Sequence, residues 1–276
     1  MRVAYQGVRG AYSEVALKRR YGPGTEALGF PFSEQVFDAV QEGRADFGFV
    51  PVENSIAGPV GVNLDLLLER PVYAVAEVYL LVEHCLLARP GTRLTDVRTA
   101  LSHPVALAQV REYLNARAIK AVPEYDTAGA AELVAGRSVP GEAAVASRQC
   151  AAEYGLEVLA TGIQKSKNNT TRFLAFVKEG SEPSSLKREK TSLAFSVKHK
   201  PGALLGCLRR FAEHGVNLTR LESRPIPEDP FQYSFFVDFL GGTDAPEVER
   251  ALDELRADAR AIKVLGSYPA GQRPAA

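Results

Sequence analysis

Three observations on the 276-residue sequence predict an α/β protein in two unequal parts. Strand-like and helix-like segments alternate from Arg2 to Ile163, a polar stretch without periodicity covers 179–190, and the order of elements then becomes βαββαβ. Alternation at this spacing builds βαβ units and a largely parallel sheet. The later order is that of a ferredoxin-like unit of roughly eighty residues.

Arg2–Gln6 reads as a short strand, and Gly7 and Gly10 turn the chain into the helix YSEVALKRRY, closed by Gly22. An extended piece is expected around Phe30–Phe32. Ser33 then stands as the cap of EQVFDAVQEG, where Val36, Phe37 and Val40 recur at helical spacing. FGFVPVENSIAGPV, residues 47–60, opens as an apolar, β-favouring run and turns polar at Glu53-Asn54-Ser55. Ligands of parallel sheets sit at the carboxyl ends of strands, so this triplet stands where a cleft would open. NLDLLLER is helical up to Pro71, and Val72–Ala88 is apolar enough for one or two strands. SHPVALAQVREYLNA carries a serine cap at Ser102, a proline in the first turn, and Val105, Leu107 and Val110 to bury. Strands at Ile119–Val122, EAAVAS and LEVLATGI alternate with the helices TAGAAELVAGR and RQCAAEYG.

The stretch EGSEPSSLKREK has linker composition. Beyond it, Thr191–Val197 alternates as a strand with Leu193, Phe195 and Val197 on one face. GALLGCLRRFAEHG is amphipathic, with Leu204, Leu208 and Phe211 on its stripe and Gly215 at its end. VNLTRLESR is a strand, PIPEDP a turn and FQYSFFVDFL an aromatic-rich strand. Asp244 and Glu247 stand in capping-box spacing ahead of ALDELRADA, and AIKVLGSY closes the unit as a strand.

Composition excludes several classes. Lysine plus arginine equals aspartate plus glutamate at 33 each, so no overall field favours nucleic acid or an anionic membrane. Cys85, Cys150 and Cys207 are far apart and form no CxxC pair, which speaks against a disulfide framework or zinc site. The four histidines are scattered, and no metal motif is present. MRVAYQGVRGAYS lacks a signal-peptide core and no stretch approaches a membrane span, so a cytoplasmic location is expected.

Seven motifs, in order and at these separations, resemble the prephenate dehydratase family with a C-terminal ACT domain. They are QGVRGAYSE (6–14), VPVENSIAG (50–58), SHPVALAQ (102–109), TAGAA (127–131), NTTRF (169–173), GALL (202–205) and NLTRLESRP (217–225). The resemblance implies a two-lobed, periplasmic-binding-protein-like catalytic domain over 1–180, a linker over 181–190 and an ACT domain over 191–269. It implies conversion of prephenate to phenylpyruvate, feedback by phenylalanine, no metal or organic cofactor, and a homodimer or homotetramer paired through ACT domains. The chain departs from the family at Lys165, where an acid is usual, and at Val105, where glutamine is usual.

Losing a hydroxyl and a ring carboxylate together needs a proton donor, fixed donors for the side-chain carboxylate and an apolar wall. The resemblance places Thr171 at the centre, with two readings open: a hydrogen bond to the leaving hydroxyl, or a relay from a better acid. Glu53 is that acid if burial raises its pKa, and otherwise a carboxylate pairing with a lysine or capping a turn. Asn54, Ser102 and Gln109 carry over as polar pocket residues, although Ser102 also fits a helix cap. Gln109 stands two helical turns from Ser102 and can share its face. Arg172 is a candidate carboxylate binder if the strand has not begun there, or else structures the loop. Ser55, Asn169, Phe173 and Thr127 complete the implied substrate site. In the second part, Gly202, Ala203, Leu204, Asn217, Leu218, Glu222 and Ser223 carry over as the phenylalanine site, or simply pack helix on sheet. Two rivals remain: an arogenate dehydratase, and a solute-sensing protein that binds without catalysis.

Overall fold

Val3, Ala4 and Tyr5 are all buried in β1 (Arg2–Gln6). A run hidden on both faces marks a central parallel strand. The structure, a computed structural model, describes residues 1–226 and 229–274. They divide into two units: Met1–Pro59 with Val78–Phe173 and the chain end from Arg273, and Val60–Glu77 with Leu174–Gln272.

In the first unit, β1 pairs in parallel with β2 (Glu26–Phe30) and β3 (Phe47–Asn54). The helices α1 (Tyr12–Tyr21) and α2 (Ser33–Gln41) link these strands, and β4 (Gly58–Pro59) folds back on β3. Ser33 does not cap α2. Phe32 holds the cap position and its N–H reaches Gln35 Oε1 at 3.4 Å, while the Ser33 hydroxyl donates to Gln6 Oε1 at 3.0 Å. The extended piece expected at Phe30–Phe32 is therefore the end of β2 and the helix entrance. The chain next forms α3 (Gly61–Glu69) and starts β5 (Val72–Leu81) in the second unit, and β5 ends in the first.

A second sheet follows, built from β6 (Cys85–Ala88), β7 (Thr99–Ser102), β8 (Lys120–Pro123), β9 (Glu142–Ala146) and β10 (Glu157–Ala160). Its order is β10-β6-β9-β7-β8, with β7 parallel to β8 and β9 but β6 antiparallel to its neighbours. The parallel sheet expected from alternation is thus mixed here, because β6 runs antiparallel to both β9 and β10. Around it lie α4 (Pro104–Gln109), α5 (Arg111–Asn115), α6 (Thr127–Gly136) and α7 (Arg148–Tyr154). The single helix expected from Ser102 is two, broken at Val110 (φ −105°). That bend keeps Leu107, Val110 and Leu114 in one core with Leu86 and Val145, each burial of this kind contributing about 1.5–3 kcal/mol. Two α/β lobes result. The chain returns through β11 (Thr170–Lys178), which lies beside β3.

The second unit holds the order expected from sequence: β12 (Lys190–Val197), α8 (Ala203–Glu213), β13 (Leu218–Ile226), β14 (Asp229–Leu240), α9 (Pro246–Asp258) and β15 (Ala259–Tyr268). The strand order β13-β14-β12-β15 is fully antiparallel. Cys207 and Phe211 of α8 pack with Leu252 and Leu255 of α9 over Leu193 and Phe195. The Asp244–Glu247 capping box does not form, since α9 starts at Pro246 behind Ala245, which has no capping side chain. The turn expected at PIPEDP lies partly on residues 227 and 228, outside the described residues.

Val60–Glu77 is bound into this unit by side chains. Arg224 on β13 grips Asp65 of α3 with two hydrogen bonds of 2.7 and 2.6 Å. Lys263 Nζ caps the end of α3, donating to the carbonyls of Leu67, Leu68 and Arg70 at 3.0, 2.9 and 2.6 Å. A cation there meets the unsatisfied carbonyls of a helix end. Gly266 pairs with Ala74 at so close an approach that a Cβ would stand 2.3 Å from the Ala74 oxygen.

Candidate active site

Two backbone N–H groups fix the first side chain of the site. Asn54, the last residue of β3, accepts from Ile56 N at 3.0 Å and Ala57 N at 2.8 Å on its Oδ1. Asparagine favours such turns because its side chain mimics a backbone acceptor. With the amide so oriented, its Nδ2 donates to Asn169 Oδ1 at 2.8 Å and to Thr171 Oγ1 at 3.0 Å. Asn169 Nδ2 in turn donates to Gln109 Oε1 at 2.8 Å, and the same oxygen lies 2.8 Å from His84 Nε2. On the other side of the ring, His84 Nδ1 meets the Tyr12 hydroxyl at 2.9 Å. A continuous polar chain therefore runs Tyr12–His84–Gln109–Asn169–Asn54–Thr171, entirely within the first unit.

Of the residues named from sequence, Asn54, Gln109, Asn169 and Thr171 are brought together directly. Glu53 precedes Asn54 on β3 and is half-buried. Thr171 and Gln109 are also half-buried, whereas Asn169 is fully buried and holds its neighbours from behind. Ser55 serves the same frame: its hydroxyl donates to Asn168 O at 2.8 Å and accepts from Thr170 N at 2.9 Å. Its proton is spent on backbone, so it positions the start of β11 instead of meeting a ligand. Lys165 does not disturb this loop, because its N–H donates to Gln109 O at 3.0 Å and its side chain pairs with Glu112.

Three expectations are corrected. Ser102 neither caps α4 nor faces an open site: it is fully buried and donates to Val145 O at 2.6 Å. The capping position belongs to His103, whose Nδ1 accepts from Val105 N at 3.2 Å. Arg172 lies inside β11, which begins at Thr170, so strand alternation turns it away from the face of Thr171. Phe173 is 1% exposed and stacks on Phe49 with centroids 5.1 Å apart, a core contact and not a pocket wall. Thr127 opens α6, half-buried behind the cap that Asp126 provides to Ala128 N and Gly129 N.

Sequence reasoning missed Tyr12 and His84. Tyr12 sits inside the QGVRGAYSE motif but reads as one more helix residue, and His84 follows an apolar strand with no partner in sequence. Only the fold shows that His84 lies where the chain passes between lobes, its backbone N–H on Gln164 Oε1 at 2.9 Å. Burial pushes the His84 pKa below the usual value, against a smaller opposing effect of the Gln109 hydrogen bond. The unfolded chain then binds this proton at higher pH than the folded chain does. The stabilisation is complete above about pH 6.5 and is lost as pH falls through the depressed folded value. The thermal midpoint of the wild type should therefore drop more between pH 7.5 and 5.5 than that of His84→Gln, read by circular dichroism.

Among the described residues no cluster of three or more histidine, cysteine, aspartate or glutamate side chains has a metal-holding arrangement. Among these residues no helix is long and apolar enough to cross a membrane either. In the second unit, a cavity of about 430 Å³ is lined by Gly202, Ala203 and Leu204 together with His199, Phe231 and Tyr233. Gly202 caps α8 at φ 77°, a conformation that suits glycine. Asn217, Leu218, Glu222 and Ser223 lie on or just before the edge strand β13 and are not in that lining.

A sequence profile of prephenate dehydratase matches residues 3–181, and one of the ACT domain matches 191–257. The chain is 41% identical over 278 residues to arogenate dehydratase/prephenate dehydratase 2, a chloroplastic protein of Arabidopsis thaliana, covering 98% of this chain and 73% of that one. It superposes on a prephenate dehydratase from Arthrobacter aurescens solved in complex with L-Phe, with TM-score 0.88, 31% identity, and coverage of 97% and 89% of the two chains. It also superposes on GqqA, described as a novel type of quorum-quenching acylase, with TM-score 0.89, 39% identity and 98% of both chains. The profile spans more than half the chain, and the match to the sequence relative runs over nearly the whole of this chain. The chain belongs to the prephenate dehydratase family, enzymes of the carbon–oxygen lyase class, and carries an ACT domain after its catalytic part.

Proposed function

We propose that the chain converts prephenate to phenylpyruvate under feedback by phenylalanine. In balance, the prephenate dianion takes up one proton and yields phenylpyruvate, carbon dioxide and water. The ring C–O bond breaks with its electron pair leaving on oxygen, and the electrons of the carboxylate C–C bond complete the aromatic ring. The observation that carries the reading is the polarity at Thr171. Because Thr171 Oγ1 accepts from Asn54 Nδ2, its own proton is left to donate, which suits a hydrogen bond to the departing hydroxyl. Glu53, one residue from Asn54, is the candidate for supplying the consumed proton, and Gln109 for holding a substrate oxygen. Residues 1–180 form the catalytic domain in this reading, 181–190 the linker and 191–269 the regulatory domain.

Phenylalanine would occupy the cavity at Gly202, Ala203 and Leu204; that a structural relative was solved in complex with L-Phe supports the choice of effector. The edge strand β13 leaves one side of its backbone available to pair with a second copy. Asn217, Leu218, Glu222 and Ser223 stand at that edge, which supports a homodimer or a pair of dimers sharing the effector site, in the cytoplasm. Arogenate is the second substrate reading, favoured by the plant relatives named for it. An acylase reading is disfavoured by the site itself: three amide side chains separate Thr171 from the imidazole, and the Ser102 hydroxyl is buried on a carbonyl.

The test is steady-state turnover of prephenate and of arogenate, each with and without phenylalanine, beside hydrolysis of an N-acyl homoserine lactone. Phenylpyruvate release from prephenate, suppressed by phenylalanine, is the expected result. Turnover of arogenate alone would change the substrate, and hydrolysis of the acyl compound without either dehydration would overturn the reading.

A further inference from the structure

The polarity fixed at Asn54 can be followed along the whole hydrogen-bond chain. Ile56 N and Ala57 N both donate to Asn54 Oδ1, so Asn54 Nδ2 is a donor and Asn169 Oδ1 an acceptor. Asn169 Nδ2 must then donate to Gln109 Oε1, which makes that oxygen an acceptor for His84 as well. An acceptor there requires a proton on His84 Nε2. The Gln109 carbonyl is thus held by two donors, and its amino group makes no hydrogen bond among the described residues. Gln109 is half-buried, so that amino group is the end left to a ligand.

We infer that His84 is the positioning residue of this site: its Nε2–H locks the Gln109 amide so that Gln109 presents N–H donors, not its carbonyl, to a substrate oxygen. A flipped Gln109 would turn an acceptor towards an anionic substrate and set its amino group against the Asn169 and His84 donors. The Tyr12 hydroxyl holds the other ring nitrogen at 2.9 Å, and the two rings meet edge to face at 5.6 Å. Of the titratable groups, Tyr12 on α1 touches the imidazole, and Glu83 and Cys85 flank His84 in the chain. Burial pushes the Tyr12 hydroxyl far up and the Cys85 thiol up to about 11, so both keep their protons near neutrality. The Tyr12 proton has two acceptors in reach, His84 Nδ1 and Glu83 O at 2.8 Å, and either choice leaves Nε2–H on Gln109.

The test has one arm that does not depend on the proposed reaction. In ¹⁵N-histidine-labelled wild-type protein at pH 7, the His84 resonance, assigned by its loss in His84→Gln, should show Nε2 protonated. A neutral ring protonated on Nδ1 alone would overturn the inference, whichever substrate the protein uses. The other arm rests on the dehydratase reading. The amide of His84→Gln reaches the position of Nε2, whereas that of His84→Asn reaches only that of Nδ1. With prephenate, His84→Gln should keep kcat/KM within about 5-fold of wild type and His84→Asn should lose about 30-fold, the scale of one misdirected buried donor. In a Gln109→Met background the Asn substitution should cost less than about 3-fold, because a residue acting through Gln109 has nothing left to act on. Equal losses for Asn and Gln, or an undiminished loss in that background, would reduce His84 to a packing residue. Absence of any prephenate turnover by wild type would sink the proposed function, and the resonance arm would still decide the role of His84.

Discussion

Thr171→Ala should lower kcat for prephenate by about 100-fold or more, the scale of lost proton-transfer assistance, with little change in KM. The physical argument is one of donors and acceptors. Asn54 Nδ2 already donates to Thr171 Oγ1, so the hydroxyl has its proton free at the half-buried start of β11. Alanine deletes the donor aimed at a leaving hydroxyl and takes away the acceptor of one Asn54 N–H, while the other stays on Asn169 Oδ1. Thr171→Ser keeps the hydroxyl and should retain most of the rate. Unchanged turnover in the alanine variant would remove Thr171 from the chemistry and reduce it to a link in the polar chain.

Lys190→Met should destabilise the protein by about 3–5 kcal/mol, as removal of one partner of a buried ion pair does. Lys190 on β12 and Glu77 on β5 meet at 2.8 and 3.1 Å, with side chains only 5% and 1% exposed. Methionine leaves the Glu77 charge inside the fold without its cation, although Gly271 N still donates to it at 2.9 Å. Replacing both residues, as Lys190→Met with Glu77→Leu, should recover most of the loss, since apolar packing substitutes well for such pairs. Urea unfolding of the three proteins is the measurement. A loss below about 1 kcal/mol in the single variant would place the pair in effective contact with water.

The βαββαβ unit was legible because its signals are local: alternation in Thr191–Val197 and a clean stripe in the α8 helix. Boundaries were less so. Ser33 and Ser102 both look like caps, yet each spends its hydroxyl on a distant partner, Gln6 Oε1 and Val145 O. The site was half legible. Asn54, Gln109, Asn169 and Thr171 carry motif signatures, whereas Tyr12 and His84 depend on contacts 72 residues apart in sequence. Arg172 shows the reverse case, a motif residue whose direction is decided by where β11 begins, which no residue pattern marks.

The grip of Arg224 and Lys263 on α3 sets a limit on protein engineering. The backbone passes between the two units four times, after residues 59, 77, 173 and 272. A foreign effector-binding module spliced in between β11 and β12 would therefore arrive without the guanidinium for Asp65 and the ammonium for the carbonyls of Leu67, Leu68 and Arg70. A working chimera has to import α3 along with the module, or copy these two cations into it.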